Sequence, residues 1–370
     1  MIIDSIELFR VRMPLIYPFR TAFDNTTHIE SVLVKLVSGN YSGWGETTPF
    51  DSPMYCPEWA GGVFAILRDF LVPRILGRDI ESGDQLQAEL EFVKGNQFAK
   101  AGLDLAWWDL YSRSLKLPLW KVLGGQNDLI TVGADFGIME NIDKLLETIS
   151  GAVKAGFKRI KLKYRPGWEL DMIEKVRNSF PDTVFHIDCN SAYSLANLEM
   201  FKKLDRYNLA MIEQPLAYDD LVDHARLQKM INTAICLDES VTSPAKALHA
   251  IELGSCRYIN IKLGRVGGIT NAVKIHNLCQ QAGIPVWVGG MLESAVGNAH
   301  NTALATLPNV KYPSDIFPSD RFYYKDLSEP ETVLDGPSLI RATSNPGIGC
   351  KPYPEQLREY LVETAVMSNS

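Results

Sequence analysis

The chain has no excess of basic residues, and this narrows its partners at once. Lys and Arg number 37 against 44 Asp and Glu in 370 residues, a net charge of −7. A phosphate backbone calls for a basic stripe or patch, so nucleic acid is set aside as a partner. No apolar run approaches the roughly 20 residues of a membrane span, which sets the bilayer aside too. The opening MIIDSIELFRVRMPLIY is interrupted by Asp4, Glu7, Arg10 and Arg12, so it lacks the unbroken apolar centre of an export signal. None of the six cysteines forms a CxxC pair. Cys189, Cys236, Cys256 and Cys279 sit in or beside apolar runs and read as reduced core thiols of a cytoplasmic protein. No GxGxxG turn follows the first strand, which weakens an open, doubly wound nucleotide-binding sheet.

What is present is a repeat. After a mixed segment over 1–125, with strands first and helices after, a short apolar strand followed by a helix recurs about every 25 residues. The strands centre on TVGADFG, RIKLKY, VFHIDCN, LAMIEQP, AICLDES, YINIKLG, IPVWVGG and KYPSDIF. One intervening helix, SPAKALHAIEL, carries its own start signal: Ser243 as cap and Pro244 in the first turn. Alternating strands and helices in this number predict a parallel (β/α) barrel over 126–320.

The strand ends carry charge. Lys161 and Lys163 alternate with Ile160, Leu162 and Tyr164, so both lysines share one face. Barrel strands are covered by helices outside and filled by side chains inside, so same-facing lysines belong at the rim where active sites form. Asp188, Glu213, Asp238 and Lys262 end the next four strands, each preceded by Ile or Leu, and Asp135 ends the first in the same phase. Three neighbouring carboxylates stay ionised together only beside a cation. Hard oxygen donors without paired His or Cys favour Mg²⁺, with Mn²⁺ as the substitute. His186, one inward step below Asp188, reads as core or as a supporting residue. Lys163 on one flank and Lys262 on the other suit removal of the α-proton of a small carboxylate substrate held at the metal, with the enediolate charge stabilised there.

These residues resemble the enolase superfamily, muconate-lactonizing subgroup, where a lysine or histidine base works beside Mg²⁺. Lys161-Leu162-Lys163 matches its KxK motif, Asp188-Cys189-Asn190 its DxN element, and Glu213, Asp238 and Lys262 its later metal ligands and sixth-strand lysine. PFRTAF at 18–23, PVWVGGMLESAVGNAHNTALATLPN and YPSDIFPSDRFYYKD resemble the o-succinylbenzoate synthase / N-succinylamino acid racemase family. The resemblance implies a (β/α)₇β barrel with an α+β cap formed by 1–125 and completed by the tail 321–370. It also implies one Mg²⁺, a homo-oligomer and a place in menaquinone biosynthesis. The implied reaction is a dehydration giving 2-succinylbenzoate, the alternatives being N-succinylamino acid racemisation, dipeptide epimerisation or cycloisomerisation.

By the same resemblance, Lys163 takes the α-proton, Lys262 stabilises the enediolate, and Lys161 tunes Lys163 and meets the carboxylate. Phe19 and Phe23 either wall the substrate pocket from the cap or belong to the core. Asp135, Asn190, Gly290 and Met291 face the substrate. Arg265 orients Lys262, binds an anion or forms a loop salt bridge. Two departures stand out. Asp135 replaces the small hydroxyl residue frequent at its position, which weighs against racemisation. Asp315 is followed by Ile316 and Phe317 and not by the second aspartate of dipeptide epimerases.

Overall fold

The computed structural model describes residues 1–20 and 25–369; Phe23, one of the expected pocket residues, lies outside the described residues. The chain opens with an antiparallel sheet of β1 (Ser5–Arg20), β2 (Asn25–Ser38) and β3 (Tyr41–Thr47), and the C-terminal strand Leu361–Ser368 adds to the free side of β1. Alternation sets its faces: Ile6, Leu8, Val32, Val34 and Leu36 are fully buried. Helix α1 (Gln97–Ser114) lies across the sheet at close range. A Cβ on Gly43 would stand 2.3 Å from the backbone nitrogen of Leu110, and one on Gly45 2.4 Å from the carbonyl of Gly102. Glycine on β3 is therefore what lets helix and sheet meet.

The second layer is a curled parallel sheet. Its strands are β4 (Ala134–Phe136), β5 (Arg159–Lys163), β6 (Val184–Asp188), β7 (Ile212–Glu213), β8 (Ile235–Leu237), β9 (Tyr258–Ile261) and β10 (Val286–Val288), in sequential order. The eighth place is not a regular strand. Residues 310–315 close the ring through single parallel bridges, Val286 to Val310 and Val132 to Ser314, and the Asp315 amide donates to the Val288 carbonyl at 2.8 Å. The barrel therefore has the expected (β/α)₇β order. The predicted cap of the SPAKALHAIEL helix forms as read: Ser243 Oγ accepts from the Lys246 amide at 3.2 Å and Pro244 occupies the first turn.

Outward positions on the strands are apolar and buried, including Ile160, Leu162, Phe185, Ile187, Ile259 and Ile261. Barrels of this kind usually fill their interior with branched apolar side chains. Here Arg159, His186, Glu213, Cys236, Asn260 and Trp287 occupy that space, all at 0 % exposure. All six cysteines are free, and all but Cys56 are buried.

Cap and barrel are joined by a buried carboxylate. Asp104, on α1, accepts from the Thr270 amide at 3.1 Å, at the start of helix Ile269–Gln281, and from Gln87 Nε2 at 2.9 Å. Gly268 approaches so closely that a Cβ there would lie 2.4 Å from Asp104 Oδ1, at a φ of +105°. Burial, partly offset by the hydrogen bonds from Thr270 and Gln87, raises the Asp104 pKa from 3.8 to about 6. The native state thus binds its proton more tightly than the unfolded chain, so stability falls as pH rises from about 4 through about 6. Asp104→Asn removes that dependence. The stability difference between variant and wild type should move in the variant's favour by about 3 kcal/mol across this window, as followed by denaturant titrations at each pH. A difference independent of pH would show that Asp104 ionises as freely in the native state as in the unfolded one.

Candidate active site

The rim at the C-terminal ends of the strands brings the expected charges together. Asp188 lies directly opposite Glu213 in the β6–β7 register, and Lys163 opposite Asp188 in the β5–β6 register. Lys163 Nζ donates to Asp188 Oδ2 at 2.7 Å and to Asn190 Oδ1 at 3.0 Å. On the far wall, beyond β6, β7 and β8, Lys262 Nζ donates to Asp238 Oδ2 at 2.9 Å and lies 3.2 Å from the Tyr55 hydroxyl. Arg265 is ion-paired with Asp238, donates to the Tyr55 oxygen at 3.2 Å and to the Asn260 carbonyl at 2.6 Å. The Arg265–Asp238 pair is buried and lies beside Lys262.

Lys161 sits deeper, 3 % exposed, among Asp315, Asp135, Asp188 and Glu213 at 2.7, 3.5, 3.5 and 3.7 Å. Burial disfavours its ammonium form, but these acids outweigh burial and raise its pKa well above the ordinary lysine value. The same contest is settled the same way at Lys262, where burial is overcome by Tyr55, Glu239 and Glu213 and the pKa rises. At Glu213 burial favours the neutral acid, yet Lys161, His186 and Lys262 hold the carboxylate well below its usual range. In this arrangement the surroundings favour the ammonium forms of Lys161 and Lys262 and the carboxylate form of Glu213.

The three acids do not form a compact ligand cluster as they are turned here. Among the described residues no group of three or more His, Cys, Asp or Glu side chains is arranged to hold a metal ion. The physical reason is that cationic side chains interleave with the acids. Asp188 is drawn to Lys163, Asp238 to Lys262 and Arg265, and Glu213 takes an Asn260 Nδ2 hydrogen bond at 2.7 Å. The donor set still suits a hard divalent cation. All three acids are at most 1 % exposed, and Glu213 Oε2 is buried with loose partners, His186 Nε2 at 3.3 Å and Lys161 Nζ at 3.7 Å.

A cleft of about 690 Å³, part of it open to solvent, lies over this rim. Lys161, Lys163, Lys262, Asp135 and Asn190 line it from the barrel, together with Gly290 and Met291. Phe19 lines it from the cap and meets Phe322 edge-on, with ring centres 6.0 Å apart. Asp135 shows one buried oxygen, Oδ1, with no donor. Gly290 passes so near the Asp315 carbonyl that a Cβ would stand 2.4 Å from it. The Met291 amide is already taken by Glu293 Oε2 at 2.7 Å, and Met291 packs among the cap's apolar residues at the edge of the cleft. Two roomier hollows, one beside Trp120 and Ile340 and one beside Lys311 and Tyr312, are not lined by a pair of lysines.

Sequence reasoning missed four participants. Tyr55 arrives from a cap loop and could not be placed by strand spacing. Arg159 could have been found, because it shares the parity of Lys161 and Lys163. Asp315 was considered only as an amine-binding group, whereas it is the counter-ion of Lys161 and, at 2.6 Å, of Arg159. Gln214, held at a φ of 38°, ties two strand ends together: its Oε1 accepts from the Asp238 and Ser240 amides at 3.0 and 3.2 Å. Non-glycine residues in that region carry strain, which recurs at functional sites.

Comparison with known proteins agrees with this geometry. Residues 4–124 match the mandelate racemase / muconate lactonizing enzyme N-terminal domain, and residues 144–356 the enolase C-terminal domain-like family. The chain is 44 % identical over 359 residues to an o-succinylbenzoate synthase of Geobacillus stearothermophilus, covering 97 % of this chain and 96 % of the relative. It is 42 % identical to an N-succinylamino acid racemase of Thermus thermophilus, covering 94 % of each. A crystal structure of an enolase superfamily member from Listeria innocua superposes with a TM-score of 0.96 at 36 % identity, covering 100 % of this chain and 99 % of the other. The chain belongs to the o-succinylbenzoate synthase / N-succinylamino acid racemase family of the enolase superfamily.

Proposed function

We propose that this protein is a metal-dependent lyase that dehydrates 2-succinyl-6-hydroxy-2,4-cyclohexadiene-1-carboxylate to 2-succinylbenzoate. The observation that carries the reading is the placement of Lys163 and Lys262 on opposite walls of one cleft, four strands apart, with the acids of β6, β7 and β8 between them. Superfamily members generally use a divalent metal. Mg²⁺ is the ion proposed here, with Asp188, Glu213 and Asp238 as the residues that would hold it. When bound it would supply positive charge to the substrate carboxylate as the α-proton leaves.

The chain's own residues do the rest. Lys163 takes the α-proton and returns it to the departing hydroxyl as water forms. Lys262, held cationic, stabilises the enediolate from the other face. Lys161 contacts the carboxylate and adds fixed positive charge. Phe19, Gly290 and Met291 shape the wall that encloses the ring and keep water from it, and Asn190 steadies Lys163. The product's place is in menaquinone biosynthesis, in a soluble enzyme acting on a small carboxylate.

The second reading, N-succinylamino acid racemisation, is favoured by the Thermus thermophilus relative. Its chemistry needs Lys262 to act as acid and base on the opposite face. The unpartnered Asp135 oxygen does not separate the two readings, because both substrates carry a succinyl carboxylate. One assay separates the two: aromatic product formation set beside ¹H/²H exchange on N-succinyl amino acids, each with Mg²⁺ and after its removal by chelation. The expected result is Mg²⁺-dependent aromatic product, lost to background on chelation and regained on adding the ion. Exchange without aromatic product would overturn the lyase reading in favour of the racemase.

A further inference from the structure

Lys161 is an ammonium among four carboxylates, and it leans to one that is not a proposed metal ligand. Its Nζ is 2.7 Å from Asp315 Oδ2, against 3.5 Å from Asp135 and Asp188 and 3.7 Å from Glu213. Asp315 is 2 % exposed and sits on the segment that closes the ring. Its other oxygen is ion-paired with Arg159 Nη2 at 2.6 Å. Arg159 is fully buried, lies 5.5 Å from the centre of the Trp287 ring and 5.6 Å from that of Tyr312, and donates to the Pro313 carbonyl at 2.6 Å. A guanidinium held by two rings and a carbonyl has little room to move, so Asp315 stays in place and Lys161 comes down to meet it. An ammonium at that site and a divalent cation would otherwise compete for the same oxygens.

We infer that Asp315, braced by Arg159, is a positioning residue that holds the Lys161 ammonium below Asp188 and Glu213 and so keeps their oxygens available to the divalent ion. The inference rests on the metal-site reading above. With Asp315→Asn, the nearest partner of Lys161 becomes a neutral amide. The ammonium then moves up to Asp188 and Glu213 and displaces metal.

The test is a double-mutant cycle on Mn²⁺ affinity, followed by electron paramagnetic resonance of the free ion. It uses wild type, Asp315→Asn, Lys161→Met and the double variant, so no turnover is needed. Asp315→Asn should weaken Mn²⁺ binding about 10- to 100-fold when Lys161 is present, and about threefold or less when Lys161 is Met. Equal losses in both backgrounds, as a merely structural role would give, overturn the inference, as does no loss at all. Arg159→Lys keeps the charge but loosens the brace. It should weaken binding about threefold or more, again only with Lys161 present, so the inference stays exposed if Asp315→Asn does not fold. Wild type that binds no Mn²⁺ overturns the metal reading and the inference with it; wild type that binds, with no coupling in the cycle, overturns the inference alone.

Discussion

Lys163→Ala lowers turnover of the cyclohexadiene carboxylate by about 10²- to 10⁴-fold, the usual share of a positioned general base, and leaves Mg²⁺ binding intact. The second half of this expectation separates it from general damage. Lys163 is bound to Asp188 Oδ2 at 2.7 Å, an oxygen proposed to face the metal. Removing the ammonium frees that oxygen, so metal affinity holds or rises while the proton has no acceptor. Asn190, which shares Lys163 through a 3.0 Å contact and reaches Glu239 at 3.1 Å, remains in place because its second bond is independent of the lysine. Product absorbance under steady-state conditions measures the loss, and calorimetric Mg²⁺ titration measures the retention. Undiminished turnover with intact metal binding would remove Lys163 as the base.

Lys262→Met lowers the same turnover by about 10²- to 10³-fold, the cost of withdrawing one preorganised charge from a developing oxyanion. Here the mechanism distinguishes the two lysines. In the dehydration Lys262 contributes charge, held by Asp238 at 2.9 Å and by neighbouring acids that keep it protonated. In racemisation it would have to carry the proton itself. The variant should therefore lose interconversion of N-succinyl amino acids entirely, yet still exchange the α-proton of one enantiomer through Lys163. Proton NMR in deuterated buffer reads the two faces separately. Exchange of both enantiomers at equal rates in the variant would contradict the assignment of opposite walls.

That these acids and lysines meet at one rim was legible because barrel geometry turns a sequence position into a place in space. A charge following Ile or Leu at the end of each of several consecutive strands has to reach the same rim. The cap of helix Pro244–Leu253 was legible because Ser243 acts on its own neighbours, within three residues. What stayed hidden depends on the chain returning from far away. Tyr55 stands beside Lys262 across 207 positions of sequence. The pairing of Asp315 with the arginine beneath it is not written in the local sequence, since the partner of a buried ion is set by packing. The tight pairing of acids with cations also escaped strand counting: register gives neighbouring backbones, whereas rotamers decide which oxygen meets which nitrogen.

The cap and the barrel do not each keep a private interior. Val11, Met13, Ile29, Leu33, Ala101 and Leu105 from the cap are packed in one continuous cluster with the barrel's Val132, Ile261 and Val288, and Met291 from the barrel is packed among the cap's own apolar residues. Cutting the chain between them would expose on each piece the oily surface that the other now covers. Traffic into the cleft is accordingly a matter for local segments, because a hinge that swung one half away would have to tear open a shared interior.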